Sequence, residues 1–218
     1  MNTKDNLVEV YCLNNKEKKL YTAGTSLLQV YNDMKPEMKH KAIVAKVNNV
    51  TKDLGFKVYK PKTIEFLSID VPSGMRAYVR SLSFIFCNAV HKLLPNVTVR
   101  LEHPIAKGYF CKLIGYNQEI SQQLIDDIKR EMKAIIDADY PFNMENTTTE
   151  EAIDLFRSEG ANDTADLLQT VGSFYTKYYE MNGRHNWFLG CVAPSTGHIQ
   201  LFDLKLYHIM STPQSPTA

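Results

Sequence analysis

The sequence predicts an α+β fold in two units, and three observations support this prediction. In the first seventy residues, short strand-like segments surround one short helical pattern. The segment Val71-Pro72-Ser73-Gly74 interrupts both helical and strand periodicity, so it marks a boundary. Beyond it, long helical patterns precede short aromatic strands, which is typical of α+β proteins. We therefore expect units over residues 1–71 and 75–209, followed by a flexible Pro/Ser/Thr-rich tail over 210–218.

The first unit is predicted to be a ubiquitin-like β-grasp, in which one helix covers one face of a mixed sheet. The pairs Asn14-Asn15 and Asn48-Asn49 are turn signals that end apolar strands. Ser26 precedes a helical apolar pattern and is a suitable N-cap. The expected strands are residues 7–13, 19–22, 42–47 and 63–69, and the expected helix is residues 27–34.

The second unit is predicted to contain long helices, a hairpin and aromatic strands. The stretch 147–150 places hydroxyl groups before a carboxylate at the spacing of a capping box, so a helix begins there. A loop over 103–108 joins the two strands of the hairpin. The expected helices are residues 76–94, 118–137, about 150–158 and 162–170. The expected strands are residues 97–102, 109–114, 174–179, 187–192 and 198–207.

The composition is that of a folded protein without a membrane span. Of the 218 residues, 44% are apolar and 22% are charged, and the net charge is +1, which excludes a disordered chain. No stretch approaches the roughly 18 apolar residues that cross a bilayer. The first ten residues lack the apolar segment of a secretory signal, so we expect a cytoplasmic protein.

The charges are unevenly distributed along the chain. Residues 1–72 contain 12 lysines and 8 acidic residues, whereas the remainder carries more acidic than basic residues. A local excess of lysine favours contact with RNA, although lysines also commonly solvate a small domain. Both interpretations of the first unit stay open at this stage.

The four cysteines do not form a recognisable metal or disulfide pattern. They lie far apart and include no Cys-x-x-Cys pair, so a zinc ribbon is excluded. Cys87 and Cys111 have apolar neighbours in the sequence, which favours a role as small buried residues. We expect neither a bound metal nor a cofactor.

At two places the chain resembles a known protein family. Residues 45–54 (AKVNNVTKDL), preceded by GTSLL at 24–28, are similar to the TGS domain, a β-grasp module of threonyl-tRNA synthetases, stringent-response synthetases and certain GTPases. Residues 75 to about 208 resemble the second additional domain that follows TGS in threonyl-tRNA synthetase. The stretches that carry this resemblance are AVHKLLP at 89–95, GYF at 108–110, Pro194 and FDL at 202–204.

The chain also resembles the N-terminal half of a bacterial family of uridine kinase or phosphoribulokinase-like proteins. In that family, TGS and the editing-like domain precede a P-loop kinase. The matching runs are residues 72–76, 78–81, 102–109 and 194–197. No Gly-x-x-x-x-Gly-Lys-Ser/Thr motif occurs in these 218 residues, so the resemblance implies kinase activity only if a P-loop domain follows.

In the synthetase family, the second domain removes a wrong amino acid from tRNA. Its signature is His-x-x-x-His on the long helix and Cys-x-x-x-His on a later segment, a cluster that can bind a metal ion or activate water. Aligned at Pro95 and at Pro194, this chain carries other residues at these positions, namely Arg80, Phe84, Phe188 and Val192. Arginine offers no lone pair, and phenylalanine and valine offer no polar atom. The resemblance therefore implies a degenerate editing site without catalytic residues.

Several side chains remain candidates for binding a ligand. Arg80 can hold a phosphate or carboxylate, or it can pair with a nearby acidic residue. His103 can bind a ligand or hydrogen-bond a backbone carbonyl. The resemblance implies that the loop 103–108 and a second polar loop, 195–197, border the former editing pocket, which adds Lys107, Tyr109, Ser195 and Thr196 to the candidates. Four aromatic residues can stack on bases or belong to the core, namely Tyr175, Tyr178, Tyr179 and Trp187.

Three hypotheses for function follow. The first is a non-catalytic module that recognises RNA, tRNA or a small anionic ligand, as the regulatory N-terminal part of a uridine kinase-like protein or a free-standing remnant. The second is an RNA- or ribosome-associated TGS adaptor, which the lysine-rich first unit favours. The third is a hydrolase that acts in trans on misacylated tRNA, which the missing catalytic groups disfavour.

Overall fold

A five-stranded mixed sheet with one covering helix forms the first part of the chain. The computed structural model describes residues 6–105 and 108–207. The elements of this part are β1 (Leu7–Cys12), β2 (Glu17–Thr22), β3 (Thr25–Ser26), α1 (Leu27–Met34), β4 (Val44–Val47), β5 (Val50–Asp53), β6 (Lys57–Val58) and β7 (Lys62–Leu67). The strand order is β2-β1-β7-β4-β5, and β1 and β7 run parallel. This arrangement is the predicted β-grasp.

Local side-chain chemistry explains why these elements begin and end where they do. The hydroxyl of Ser26 accepts a hydrogen bond from the Gln29 backbone N–H, and the Gln29 side chain accepts one from the Ser26 N–H. This capping box starts α1 at the predicted residue. Asn48 and Asn49 both have positive φ angles, of 47° and 69°, which form the tight turn between β4 and β5. The sequence predicts this turn but not strand β5.

The second part of the chain packs helices against two smaller sheets. Its elements are α2 (Pro72–Leu93), β8 (Thr98–Ile105), β9 (Gly108–Ile114), α3 (Gln122–Asp137), β10 (Asn143–Thr148), α4 (Thr149–Ser158), α5 (Asn162–Val171), β11 (Tyr175–Met181) and β12 (Arg184–Asn186). Strands β10, β11 and β12 form one antiparallel sheet, and β8 and β9 form a hairpin. The mixture of helices and sheets confirms the α+β class.

The start of the long helix corrects the sequence analysis. Helix α2 begins at Pro72, whereas the apolar spacing predicts a start at Arg76. Proline is favourable at the first helical position because its missing N–H would have no partner there. Gly74 lies in the same turn, where a Cβ atom would overlap the carbonyl group of Ser68. These two residues therefore permit the helix to start close to β7 and do not interrupt it.

The last third of the chain also differs from the expectation. The sequence predicts strands over 187–192 and 198–207, but over 187–207 the structure has only an isolated β-bridge between Ser195 and Pro141 and a 3₁₀ turn at Thr196–His198. Ile199 is buried, and Phe202 and Leu204 pack against the core without strand pairing. The alternation of apolar residues thus reflected burial of one side of an irregular segment. His103 lies within β8, not in a loop.

The two parts of the chain share one hydrophobic core. Ile43, Val44 and Leu67 from the first part belong to the same buried cluster as Phe84 and Met181. A separate core lies beneath α1, and a small one lies between α4, α5 and β11. None of the helices among the described residues is long and apolar enough to cross a membrane. The predicted tail over 210–218 lies outside the described residues.

Candidate functional site

The four positions that the resemblance assigns to the editing motif come together in the structure. They lie where α2 faces the segment 187–194. Phe84 is 2% exposed, and its ring lies 5.8 Å from Phe142 and 6.0 Å from Phe188. Val192 is buried in the same core, and Arg80 reaches the adjoining backbone. The site is therefore an aromatic cluster with a guanidinium group on one side.

Arg80 is held by backbone atoms of the segment 187–194. Its Nη1 atom donates a hydrogen bond to the Cys191 carbonyl at 3.3 Å. Gly190 lies directly against the guanidinium group, because a Cβ atom at this position would be 2.9 Å from Cζ of Arg80. Within residues 6–105 and 108–207, Arg80 forms no ion pair with a carboxylate. Of the two alternatives from the sequence, pairing with an acidic residue is thus not observed.

A carboxylate from the first part of the chain completes the site. Asp53, at the end of β5, accepts a hydrogen bond from the Val192 backbone N–H at 2.9 Å through Oδ1. Its Oδ2 atom accepts one from the Tyr179 hydroxyl, also at 2.9 Å. Burial raises the pKa of Asp53, and these hydrogen bonds oppose that rise. Burial, and next the charge of Asp53, raise the pKa of Tyr179, so its hydroxyl remains a donor.

Cys191 lies beside this carboxylate, and its ionisation limits what the site can do. Burial, followed by the negative charge of Asp53, raises the pKa of Cys191 to about 12, although Arg80 and Lys52 oppose the rise. The thiol is therefore protonated at neutral pH and is a poor nucleophile. The sequence does not indicate Asp53 or Cys191 as members of the site, and it offers Tyr179 only as a stacking or core residue. No local signal identifies Asp53, because its partners lie more than a hundred residues away.

Cys87 and His91 on α2 have the Cys-x-x-x-His spacing of the editing motif, although they lie outside the aligned positions. Burial raises the pKa of Cys87 to about 12 and lowers the pKa of His91. Within the parts of the chain that the structure describes, no three His, Cys, Asp or Glu side chains are grouped so as to hold a metal ion. The pair therefore does not form a metal centre in the described structure.

Tyr109 and His103 lie on the β8–β9 hairpin, whereas Arg80 faces the segment 187–194. Tyr109 is about half exposed and lines two neighbouring apolar cavities of about 770 and 340 Å³ beneath the hairpin. Both cavities contact Phe86, and the smaller one also contacts Val79, on a different face of α2 from Arg80. His103 is exposed, with its ring 5.6 Å from Phe110. Lys107 lies outside the described residues.

Ser195 and Thr196 make internal hydrogen bonds. Thr196 is fully buried, and its hydroxyl donates to the Ile135 carbonyl at 2.8 Å. The Ser195 Oγ atom lies 2.8 Å from Nδ1 of His198, and burial lowers the pKa of that imidazole. Both residues stabilise the 3₁₀ turn against α3. The structure does not bring them into contact with Arg80.

The aromatic residues separate into two groups. Tyr178 and Tyr179 are 9% and 5% exposed, so they belong to the core. Trp187 is partly buried against the small core of α4 and α5. Tyr175 is 67% exposed and is the member of this set that can contact a partner through its ring face.

Comparisons with known proteins relate this chain to threonyl-tRNA synthetase. No family model matches the sequence. The threonine–tRNA ligase of Desulforamulus reducens is 25% identical over 190 residues, which cover 87% of this chain and 29% of that protein. The enzyme of Streptococcus pyogenes serotype M6 is 24% identical over 184 residues, which cover 84% and 28% of the two chains. The chain thus spans less than a third of these relatives, and it contains a region related to them.

Proposed function

We propose that this chain is a non-catalytic recognition module, which binds tRNA or a related RNA through an anionic group at Arg80 and does not hydrolyse an ester. One observation carries the proposal. The positions matched to the editing motif form a packed cluster of two phenylalanines and a valine beside an arginine without an acidic partner among the described residues. The relatives act on tRNA, as their names state, which supports RNA as the ligand class.

The chemistry of the cluster argues against hydrolysis. Ester hydrolysis requires a base or a metal ion to activate water or a nucleophile. At this site, the guanidinium of Arg80 stays protonated, and the Cys191 thiol has a pKa of about 12. The guanidinium can instead form charge-assisted hydrogen bonds with a phosphate or a carboxylate.

Incubation of the purified chain with a misacylated tRNA tests this proposal. We expect no release of the amino acid above the rate in buffer, because the groups that activate water are missing. We also expect filter-binding measurements to detect tRNA binding that weakens steeply as salt is added. Catalytic release of the amino acid would overturn the proposal and favour a hydrolase that acts in trans.

Two arginines on the same helix provide a matched pair of variants. Arg80→Gln removes the charge at the site, and we expect it to weaken binding about tenfold, the effect of losing a charge-assisted hydrogen bond. Arg76→Gln is the control, because Arg76 is exposed one turn earlier and hydrogen-bonds Ser73. Equal losses in the two variants would show that Arg80 has no special role.

A second candidate function is that of an RNA- or ribosome-associated TGS adaptor. It is favoured by exposed lysines in the first part of the chain that form no ion pair with described residues, including Lys16, Lys57 and Lys60. If these lysines contact RNA, neutralising all three will weaken binding more than Arg80→Gln does.

The proposal that this chain precedes a nucleoside kinase domain rests on resemblance. Sequencing the gene downstream of residue 218 for a P-loop motif tests it.

A further inference from the structure

Helix α5 has an exposed apolar side in addition to its buried one. Ala165 and Leu168 face the small core with Phe156. On its other side, Leu167 and Val171 are 48% and 53% exposed and lie one turn apart. They are followed along the chain by Phe174 and Tyr175, which are 91% and 67% exposed. We name these four residues, Leu167, Val171, Phe174 and Tyr175, the α5 patch.

The backbone that presents the α5 patch is well fixed. Gly172 ends α5 in the left-handed conformation, with φ of 65°, and its N–H bonds the Leu168 carbonyl. The Phe174 carbonyl accepts a hydrogen bond from the Thr149 N–H at 3.0 Å. Tyr175 is paired with Thr148 across β10 and β11. A nearly fully exposed phenylalanine on a fixed backbone is suited to insertion into a partner, because little conformational entropy remains to be lost.

The segment that carries the α5 patch is strongly negative, and Arg100 of β8 lies 3.4 Å from one of its carboxylates, Asp163. Residues 149–175 contain six acidic residues and one arginine, a net charge of −5. That arginine, Arg157, lies 3.8 Å from Asp166. Glu150 and Asp154 of α4 are exposed and form no ion pair with described residues. An apolar patch within an acidic segment disfavours nucleic acid and anionic lipid, and favours a basic apolar surface.

We propose that the α5 patch binds a basic amphipathic helix of a partner protein. Apolar residues on one face of that helix contact Phe174 and Val171, while its lysines or arginines lie opposite Glu150 and Asp154. Proteins that recognise an amphipathic helix contact its apolar face with apolar side chains and its charged residues with groups of opposite charge. The α5 patch is thus a protein-binding surface, separate from the Arg80 site proposed to bind an anion.

Fluorescence anisotropy of labelled peptides with the full chain tests the proposal. The probe is an 18-residue Leu/Lys amphipathic helix. Two control peptides keep one property each: a Leu/Glu helix has the same apolar pattern, and a Ser/Lys peptide has the same charge. We expect the Leu/Lys helix to bind at least tenfold more tightly than either control, because the surface requires both features.

Variants assign the binding to the α5 patch. We expect the double variant Val171→Ser/Phe174→Ser to weaken binding of the Leu/Lys helix at least tenfold. Because both residues are exposed, the free energy of unfolding of the double variant should equal that of the wild type. Leu20→Ser is the control, because Leu20 is 63% exposed on β2 in the lysine-rich part of the chain. Unchanged binding in the double variant, or equal binding of the Leu/Glu helix, would overturn the proposal. Self-association of the wild type that the double variant abolishes would instead identify a second copy of this chain as the occupant.

Discussion

Asp53 and Arg80 have opposite effects on the ionisation of Cys191. Asp53 raises the pKa of Cys191, whereas Arg80 lowers it, and burial exceeds both effects. The result is a protonated thiol whose pKa lies near 12. A cysteine close to a cation is therefore not reactive when burial and a neighbouring carboxylate raise its pKa.

This balance predicts the reactivity of Cys191. Alkylation of Cys191 by iodoacetamide should be slow at pH 8, because almost no thiolate is present. Asp53→Asn should accelerate the reaction, since it removes the negative charge that raises the thiol pKa. Peptide mass spectrometry measures the rate at each cysteine separately. Cys87 serves as an internal control, because its pKa is raised mainly by burial and should not respond to the change at Asp53. A rate at Cys191 that Asp53→Asn leaves unchanged would contradict the prediction.

At the scale of elements, the junction between β7 and α2 depends on one glycine. The first turn of α2 approaches the Ser68 carbonyl so closely that a side chain at position 74 has no space. Helix α2 carries both Arg80 and Phe84, so the position of its first turn affects the geometry of the site. Gly74 is required here by close backbone approach, not by an unusual φ angle.

Two glycine substitutions test this requirement. Gly74→Ala should destabilise the protein by about 1–3 kcal/mol, or more, because the backbone must shift to admit the methyl group. Gly55→Ala is the control, since no atom lies within 4 Å of the Cβ position and Gly55 lacks a positive φ angle. Its effect should stay within about 0.5 kcal/mol. Urea denaturation measures both changes, and similar stabilities of the two variants would argue against a tight junction.

At the scale of the whole molecule, Asp53 links the two parts of the chain. Its side chain extends from the end of β5, and the carboxylate accepts hydrogen bonds from the Val192 N–H and the Tyr179 hydroxyl of the second part. The shared core around Val44 and Leu67 lies at the same end of the sheet. A buried carboxylate in such a position makes the stability of the junction dependent on pH.

The sign of this dependence follows from the pKa of Asp53, which burial raises above the ordinary value of 3.8. A folded-state pKa above the unfolded value means that the stability contribution is present below the unfolded pKa and is lost as pH rises through the folded pKa. The stability of the wild type relative to Asp53→Asn should therefore fall from about pH 4 upwards. Urea denaturation between pH 4 and 7 measures the difference, with the exposed Glu9→Gln as control. A relative stability that rises with pH would show that the hydrogen bonds to the carboxylate outweigh its burial.

The sequence alone determined the elements whose signals are local. The capping residue Ser26 starts α1 where expected, and the capping box of α4 lies at Thr148 and Glu151, one residue later than the sequence predicts; both are local because their hydrogen bonds join residues only three apart. The α+β class and most helices follow from apolar periodicity, which any buried face imposes on its own element.

Tertiary structure decided what the chain brings together. The contacts of Asp53 with Val192 and of Arg80 with Cys191 join residues 139 and 111 positions apart. The sequence of each segment does not indicate which distant residue it contacts. Tertiary packing likewise made 198–207 an irregular segment with one side against the core, although its alternation is that of a strand. Periodicity reports which side chains are buried, whereas backbone pairing and charge proximity depend on where distant segments meet.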